Sequence, residues 1–170
     1  QGISAGSCVW GDYDNDGKLD VLVTSWNRTN RLYRNMGDGI FEPDSASPIF
    51  PTNVIRGLAI WGDYDNDGWL DLFVSGQNVA SQLFHNRGNG TFDEVTTGSP
   101  VTQARGYGAA WGDYDNDGFL DLVVAGNDAS NPVNYLYRNS LVIAGNTNGW
   151  LKVKLVGTAS NRSGIGATIR

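Results

Sequence analysis

Twelve aspartates of this chain fall into three groups that share one spacing. Asp12, Asp14, Asp16 and Asp20 form the first, Asp63, Asp65, Asp67 and Asp71 the second, and Asp113, Asp115, Asp117 and Asp121 the third. Counted from the first acid of each group, these are positions 1, 3, 5 and 9 of a loop. Four carboxylates in nine residues repel one another unless a cation sits between them. Oxygen-only ligands select a hard ion, and a flexible loop offering many of them suits calcium better than magnesium. Gly17, Gly68 and Gly118 stand at position 6, where they permit a sharp bend. Position 7 is expected to offer only its backbone carbonyl. Lys18, Trp69 and Phe119 stand there and share no side-chain chemistry, as that role requires. The chemistry expected is three calcium ions, one per loop. The competing reading, a solvated acidic turn without metal, would have to arise by chance three times.

Each loop sits in a larger repeat. The stretch Trp-Gly-Asp-Tyr-Asp-Asn-Asp-Gly starts at Trp10, Trp61 and Trp111, so the copies are 51 and 50 residues apart. A period near 50 residues points to a repeat architecture. The first nine positions match an EF-hand loop, but that motif needs a bidentate Glu at position 12 and a following helix. Val23, Val74 and Val124 stand at that position, each inside an apolar run such as Leu72-Phe73-Val74. The loop is therefore expected to join two strands.

Four strands are read in each repeat. The first is small-residued: Ser7-Cys8-Val9-Trp10, Leu58-Ala59-Ile60-Trp61 and Gly108-Ala109-Ala110-Trp111. The aspartate loop and an apolar second strand from Leu19, Leu70 or Leu120 follow. After a polar loop the third strand is Arg31-Leu32-Tyr33-Arg34-Asn35, matched by residues 82–86 and 135–139. A Gly-rich turn, residues 36–39 or 87–90, leads to a fourth strand at Ile40 or Thr91. In the third repeat Ser140-Leu141-Val142-Ile143 replaces that turn. Four-stranded units repeated radially make an all-β propeller, one unit per blade. Strand direction then places the aspartate loops and Gly turns on one side, and the loops after the second strands on the other.

Here the residues resemble a family. The units are similar to FG-GAP/VCBS repeats, the calcium-loop blades of integrin-α-type propellers, over about residues 3–140. Residues 148–157 and 160–167 resemble the start of the ASPIC/UnbV segment, which follows such repeats in many bacterial secreted proteins. Within it Leu151-Lys152-Val153-Lys154-Leu155-Val156 alternates as a half-buried strand does. The expected organisation is propeller repeats over 1–143 (about 3–53, 54–104 and 105–143) and the start of an ASPIC/UnbV-like β segment over 144–170. Propellers have 4–8 blades. Three blades are therefore expected to belong to a larger propeller, or to be completed by other copies of the chain.

Composition agrees with many turns and little helix: 23 Gly among 170 residues, with aromatic and β-branched residues in short runs. The net charge of −6 is local, since the loops hold twelve of the 18 acids and three divalent ions would cancel it. No Lys/Arg cluster suggests nucleic acid. No apolar run is long enough to span a membrane. The single Cys8 is expected to be a small buried residue of its strand. Sequons occur at Asn27, Asn89 and Asn161.

Catalysis is not expected. His85 is the only histidine, and it occupies the third-strand position of Arg34 and Arg138, which reads as a strand-surface role. The carboxylates that might pair for glycoside hydrolysis belong to the metal loops. Two functions of different class remain. One is a calcium-binding extracellular module, secreted or at a cell surface, for adhesion or recognition of protein or carbohydrate. The other is a structural unit whose blades polymerise or scaffold, with an active site in additional sequence as a distant third. For the first, candidate partner residues are Trp26, Arg28, Gln77, Asn78, Asn127 and Asp128, on the side away from the aspartate loops. The competing reading of those six is ordinary solvated loop.

Overall fold

The computed structural model describes residues 5–25, 29–44, 57–76, 79–102, 105–126 and 134–140. These residues form three antiparallel sheets, one per repeat, with strands in sequence order. The first blade is β1 (Ala5–Gly11), β2 (Asp20–Ser25), β3 (Arg31–Gly37) and β4 (Ile40–Pro43). The second is β5 (Ala59–Gly62), β6 (Asp71–Val74), β7 (Gln82–Asn86) and β8 (Phe92–Val95). A single helical turn, α1 (Ser99–Thr102), leads to the third, β9 (Gly106–Gly112), β10 (Asp121–Gly126) and β11 (Tyr135–Tyr137). The expected fourth strand of that repeat, and the segment 144–170, lie outside the described residues.

One register recurs in all three sheets. The Gly of each Trp-Gly pairs with the last loop aspartate: Gly11 with Asp20, Gly62 with Asp71, Gly112 with Asp121. Successive side chains of a strand point to opposite faces, so the register builds two rows on every blade. One row is Trp10-Val21-Tyr33, Trp61-Leu72-Phe84 and Trp111-Leu122-Tyr137. The other is Val9-Leu22-Leu32, Ile60-Phe73-Leu83 and Ala110-Val123-Leu136.

The cores lie between blades, where one row of each blade meets the opposite row of the next. Leu22, Leu32 and Tyr13 of the first blade are buried against Ala59, Leu72, Val74 and Phe84 of the second. Phe73 and Leu83 of the second are buried against Leu122 and Val124 of the third. Among the described residues no blade has a core of its own. Burial of one such Leu or Phe stabilises by about 1.5–3 kcal/mol, so adjacency of blades is a condition of their folding. The first strands of successive blades also touch, β1 with β5 and β5 with β9.

Each interface has the same interlock. The Trp61 indole lies over Gly11 and the Trp111 indole over Gly62, so closely that a Cβ on either glycine would stand 2.6 Å from the ring's Cδ1. Only glycine leaves room for the ring. Cys8 departs from the sequence expectation, because it is exposed rather than buried. Its counterpart Ala59 is buried beneath the first blade. Cys8 has the same strand position, but among the described residues no blade covers the first one on that side.

Gly62→Ala should therefore destabilise by about 1–3 kcal/mol, the usual cost of overpacking. Gly108→Ala, whose new Cβ would meet nothing nearer than 3.8 Å, should change little. Urea unfolding midpoints of the two variants check this, and equal midpoints would mean that the indole does not rest on the glycine.

Candidate metal centre

The three aspartate loops connect the first and second strands of their blades. Residue 4 of each loop, Asn15, Asn66 or Asn116, has left-handed backbone (φ 55, 58 and 62), and so does the glycine at position 6 (φ 86, 91 and 94). Asn is among the few side-chain-bearing residues that adopt this conformation readily. The loop then closes on its first acid. Asp12 accepts from the backbone N–H of Asp16 at 3.0 Å and of Gly17 at 2.9 Å. Asp63 and Asp113 do the same in their loops. The acid at position 5 accepts from the N–H at position 7, as Asp67 does from Trp69 at 2.9 Å.

The aspartate at position 9 begins the second strand and is buried in every loop: Asp20, Asp71 and Asp121 are 0%, 0% and 1% exposed. Its two oxygens accept from different parts of the blade. For Asp71 these are the N–H of Tyr64 at 3.1 Å and of Asn86 at 2.8 Å. Asp20 holds Tyr13 and Asn35, and Asp121 holds Tyr114 and Asn139, in the same way. The carboxylate thus fastens loop, second strand and third strand together.

Carboxylate oxygens converge in each loop. Ligand atoms of Asp12, Asp14 and Asp20 lie within 4.8 Å of one another, as do those of Asp113, Asp115 and Asp121. In the central loop the converging sets are Asp63 with Asp65 and Asp67, and Asp65 with Asp71 and His85. The donor sets of the outer loops are all oxygen, with the spread that a hard divalent ion spans, so these residues fit calcium. Position 5 of the outer loops is turned toward side-chain cations instead. Asp16 meets Lys18 Nζ at 2.8 Å, and Asp117 meets Arg138 Nη2 at 3.2 Å.

Arg34 and Arg138 reach into their loops from the third strand, Nε to Asp14 and to Asp115 at 2.6 Å each. His85 holds that place in the central blade, with Nδ1 3.3 Å from both Asp65 and Asp71. The strand position of His85 is the expected one, but its ring faces the loop acids. The sequence reading did not assign these three residues to the loops. Their shared place in the third strand, one residue before the Asn, was the available signal.

Charge balance differs accordingly. Lys18 beside Asp16 holds that carboxyl below its usual range. Burial raises Asp20, Asp63 and Asp65 above it. Asp71 is pushed up to about 8, first by burial and then by the charges of Asp65 and Asp67, against the two N–H groups that favour its ionised form. The central loop, with Trp69 and His85 where the first has Lys18 and Arg34, carries the least compensated negative charge.

The loops also join blades. Asn15 Nδ2 donates to the Gly68 carbonyl at 3.0 Å, and Asn66 Nδ2 to that of Gly118 at 2.9 Å. The third-strand asparagines reach back: Asn86 Nδ2 donates to the Tyr13 carbonyl at 2.8 Å, and Asn139 Nδ2 to that of Tyr64 at 2.6 Å. A groove of about 500 Å³ lies between the first two blades on this side, lined by Tyr13, Asp14, Arg34 and Trp69 among others. Of the six candidate partner residues, Trp26, Arg28, Gln77, Asn78, Asn127 and Asp128, all lie outside the described residues.

The FG-GAP-like repeat model matches the chain twice, over residues 12–74 and 63–124. The chain belongs to the FG-GAP-like repeat family. The two matches begin at Asp12 and Asp63, the first acids of two loops, and each runs through the next loop into its second strand. Cartilage acidic protein 1 of Mus musculus is 32% identical over 109 residues, which cover 57% of this chain and 17% of that protein. The Homo sapiens protein of the same name is also 32% identical over 109 residues, 57% of this chain and 16% of its own length. The chain thus spans about a sixth of the length of these relatives. Its described residues contain no helix long and apolar enough to cross a membrane.

In chelator, stability of the FG-GAP-like repeats should fall as pH rises from about 4 to about 8. Asp71 keeps a proton in the folded loop that the unfolded chain releases from an ordinary carboxyl, so its stabilisation is complete at acid pH and lost as pH passes through about 8. Urea midpoints in EGTA across that range check the sign. A midpoint that rises with pH would show the empty loop to be comfortable with its charges.

Proposed function

We propose that this chain is a calcium-stabilised extracellular recognition module that binds a protein or carbohydrate ligand and catalyses no reaction. The observation that carries the reading is the central loop, where Asp63, Asp65 and Asp67 converge and burial raises Asp63, Asp65 and Asp71. A divalent ion relieves both the repulsion and the desolvated charge. Four aspartates and one backbone carbonyl, that of Lys18, Trp69 or Phe119, would hold each of three ions.

The family and the relatives support the setting. The relatives are named for cartilage, an extracellular matrix, and for acidity, which this chain shares at a net charge of −6. Millimolar extracellular calcium would keep such loops filled without tight affinity. The ion's task here is architectural. It holds loops that bridge blades, and the ligand is taken by surfaces the blades present.

Calorimetric titration should find three calcium ions per chain, and calcium should raise the melting temperature. A ligand that binds only the native state stabilises by RT ln(1 + [L]/Kd), about 1.4 kcal/mol at tenfold and about 2.7 kcal/mol at hundredfold excess over Kd. Asp65→Ala should lower the melting temperature in calcium more than Asp14→Ala. The central blade is packed on both sides, and its loop has the weakest internal compensation. No heat of binding and an unchanged melting temperature on chelation would end the calcium reading. The ligand itself is sought by glycan and protein arrays with and without calcium, where a calcium-dependent signal is expected.

A further inference from the structure

The central loop differs from the outer two at the corner that the third strand closes. In the outer blades Arg34 and Arg138 close it, with Nε 2.6 Å from Asp14 and from Asp115. A guanidinium stays charged, has no lone pair to give and binds no metal ion. It supplies a permanent cation at that corner instead. In the central blade His85 stands there. A neutral imidazole brings no charge, but it offers a ring nitrogen that can ligate.

The surroundings of that nitrogen suit a ligand. Nδ1 lies 3.3 Å from Asp65 Oδ2 and 3.3 Å from Asp71 Oδ1. It is buried, and among the described residues it has no hydrogen-bond partner in spite of that closeness. One ligand atom from each of the three residues falls within 4.8 Å of the others. Ligands about 2.0–2.1 Å from a tetrahedral zinc ion stand about 3.3–3.4 Å from one another, and both measured separations match that edge. Calcium and magnesium take oxygen ligands, whereas imidazole suits zinc.

The three groups are also held in place from outside. Asp71 is fixed by the N–H groups of Tyr64 at 3.1 Å and Asn86 at 2.8 Å. A carboxylate oxygen that accepts one N–H keeps a second lone pair for an ion. The His85 ring meets the Tyr64 ring edge to face, with centroids 6.3 Å apart and planes at 80°. Outer contacts of this kind orient metal ligands. The His85 side chain is 30% exposed, which gives an ion a route from solvent and a water for its fourth place.

We propose that His85, Asp65 and Asp71 form a zinc site in the central loop, with no counterpart in the first and third. The ion restores at this corner the positive charge that Arg34 and Arg138 supply at the others. Asp65 and Asp71 also belong to the proposed calcium set, so zinc competes with calcium in this loop alone. In calcium without zinc all three loops take calcium. With zinc present the central ion is exchanged and the outer two stay. The exchange presupposes the calcium-filled loop proposed above; the zinc site itself does not.

Calorimetric titration of zinc into the full chain, with and without calcium, tests this beside the imidazole nitrogen NMR spectrum. His85 is the only histidine, so that spectrum holds the signals of one residue. One tight zinc per chain is expected, with the Nδ1 signal moved to a metal-bound position and one calcium released from the loaded chain. Magnesium at the same concentration should leave the signal in place. His85→Arg, which installs the residue of the other two blades, should weaken zinc binding more than about 100-fold, beyond the roughly 10–100-fold that loss of an outer contact costs. Its calcium stoichiometry should be unchanged. A chain that takes up no zinc would overturn the site. So would zinc bound equally by His85→Arg, or bound without moving the Nδ1 signal, since loop carboxylates alone would then be the ligands. An Nδ1 signal that follows pH but not zinc would make His85 a proton-bearing partner of Asp65 and Asp71 and no ligand. A chain that binds zinc as expected but no calcium would keep this site and end the calcium-filled loops instead.

Discussion

A buried carboxylate at the head of each second strand is the constraint around which the blades are arranged. Asp20, Asp71 and Asp121 have essentially no exposed surface, yet Asp20 and Asp121 each converge with two further acids and Asp71 with Asp65 and His85. Such a group needs hydrogen bonds, a neutralising cation or a proton, because an uncompensated buried charge is costly. Two backbone N–H groups meet the first need, and in meeting it they fix the loop's tyrosine and the third strand's asparagine. In the second and third blades that asparagine, Asn86 or Asn139, then bonds the preceding blade. The electrostatics of one aspartate and the spacing of two blades are therefore parts of one problem.

Side-chain alternation is the second constraint. Each second strand has apolar side chains on both faces, so a single sheet cannot bury them and must lie between two others. Only the central blade satisfies this among the described residues, and it has the fully buried residues Leu72, Phe73 and Val74 in one strand. The outer blades show the same sequence pattern with one face covered. Exposure at Val123 and Trp10 thus reports position in the array, because the residue types match those buried elsewhere.

Much of this was legible in the sequence because the repeat is printed three times. The loop's spacing, the glycine at its sixth position, the strand after it and the blade as the repeating unit all follow from local chemistry that adjacent residues carry. What was not legible depends on neighbours in space. Cys8 reads as a buried strand residue, and in the central blade its counterpart Ala59 is one; its exposure follows from where its blade stands. The inward turn of Arg34, His85 and Arg138 needs the distance between third strand and loop, which sequence does not contain. The role of Gly11 and Gly62 as seats for an indole needs the next blade, although Trp-Gly recurring as a pair was a visible trace of it.

The most direct test of this account is hydrogen exchange at the amides that the buried aspartates hold, those of Tyr13, Asn35, Tyr64, Asn86, Tyr114 and Asn139. If a cation in the loop lets the carboxylate keep these bonds, all six should be strongly protected in millimolar calcium. Chelation should lower their protection together, and most at Tyr64 and Asn86, where the surrounding acids are least compensated. Protection that is the same with and without calcium would contradict the account, for the aspartates would then hold the blades without help from an ion.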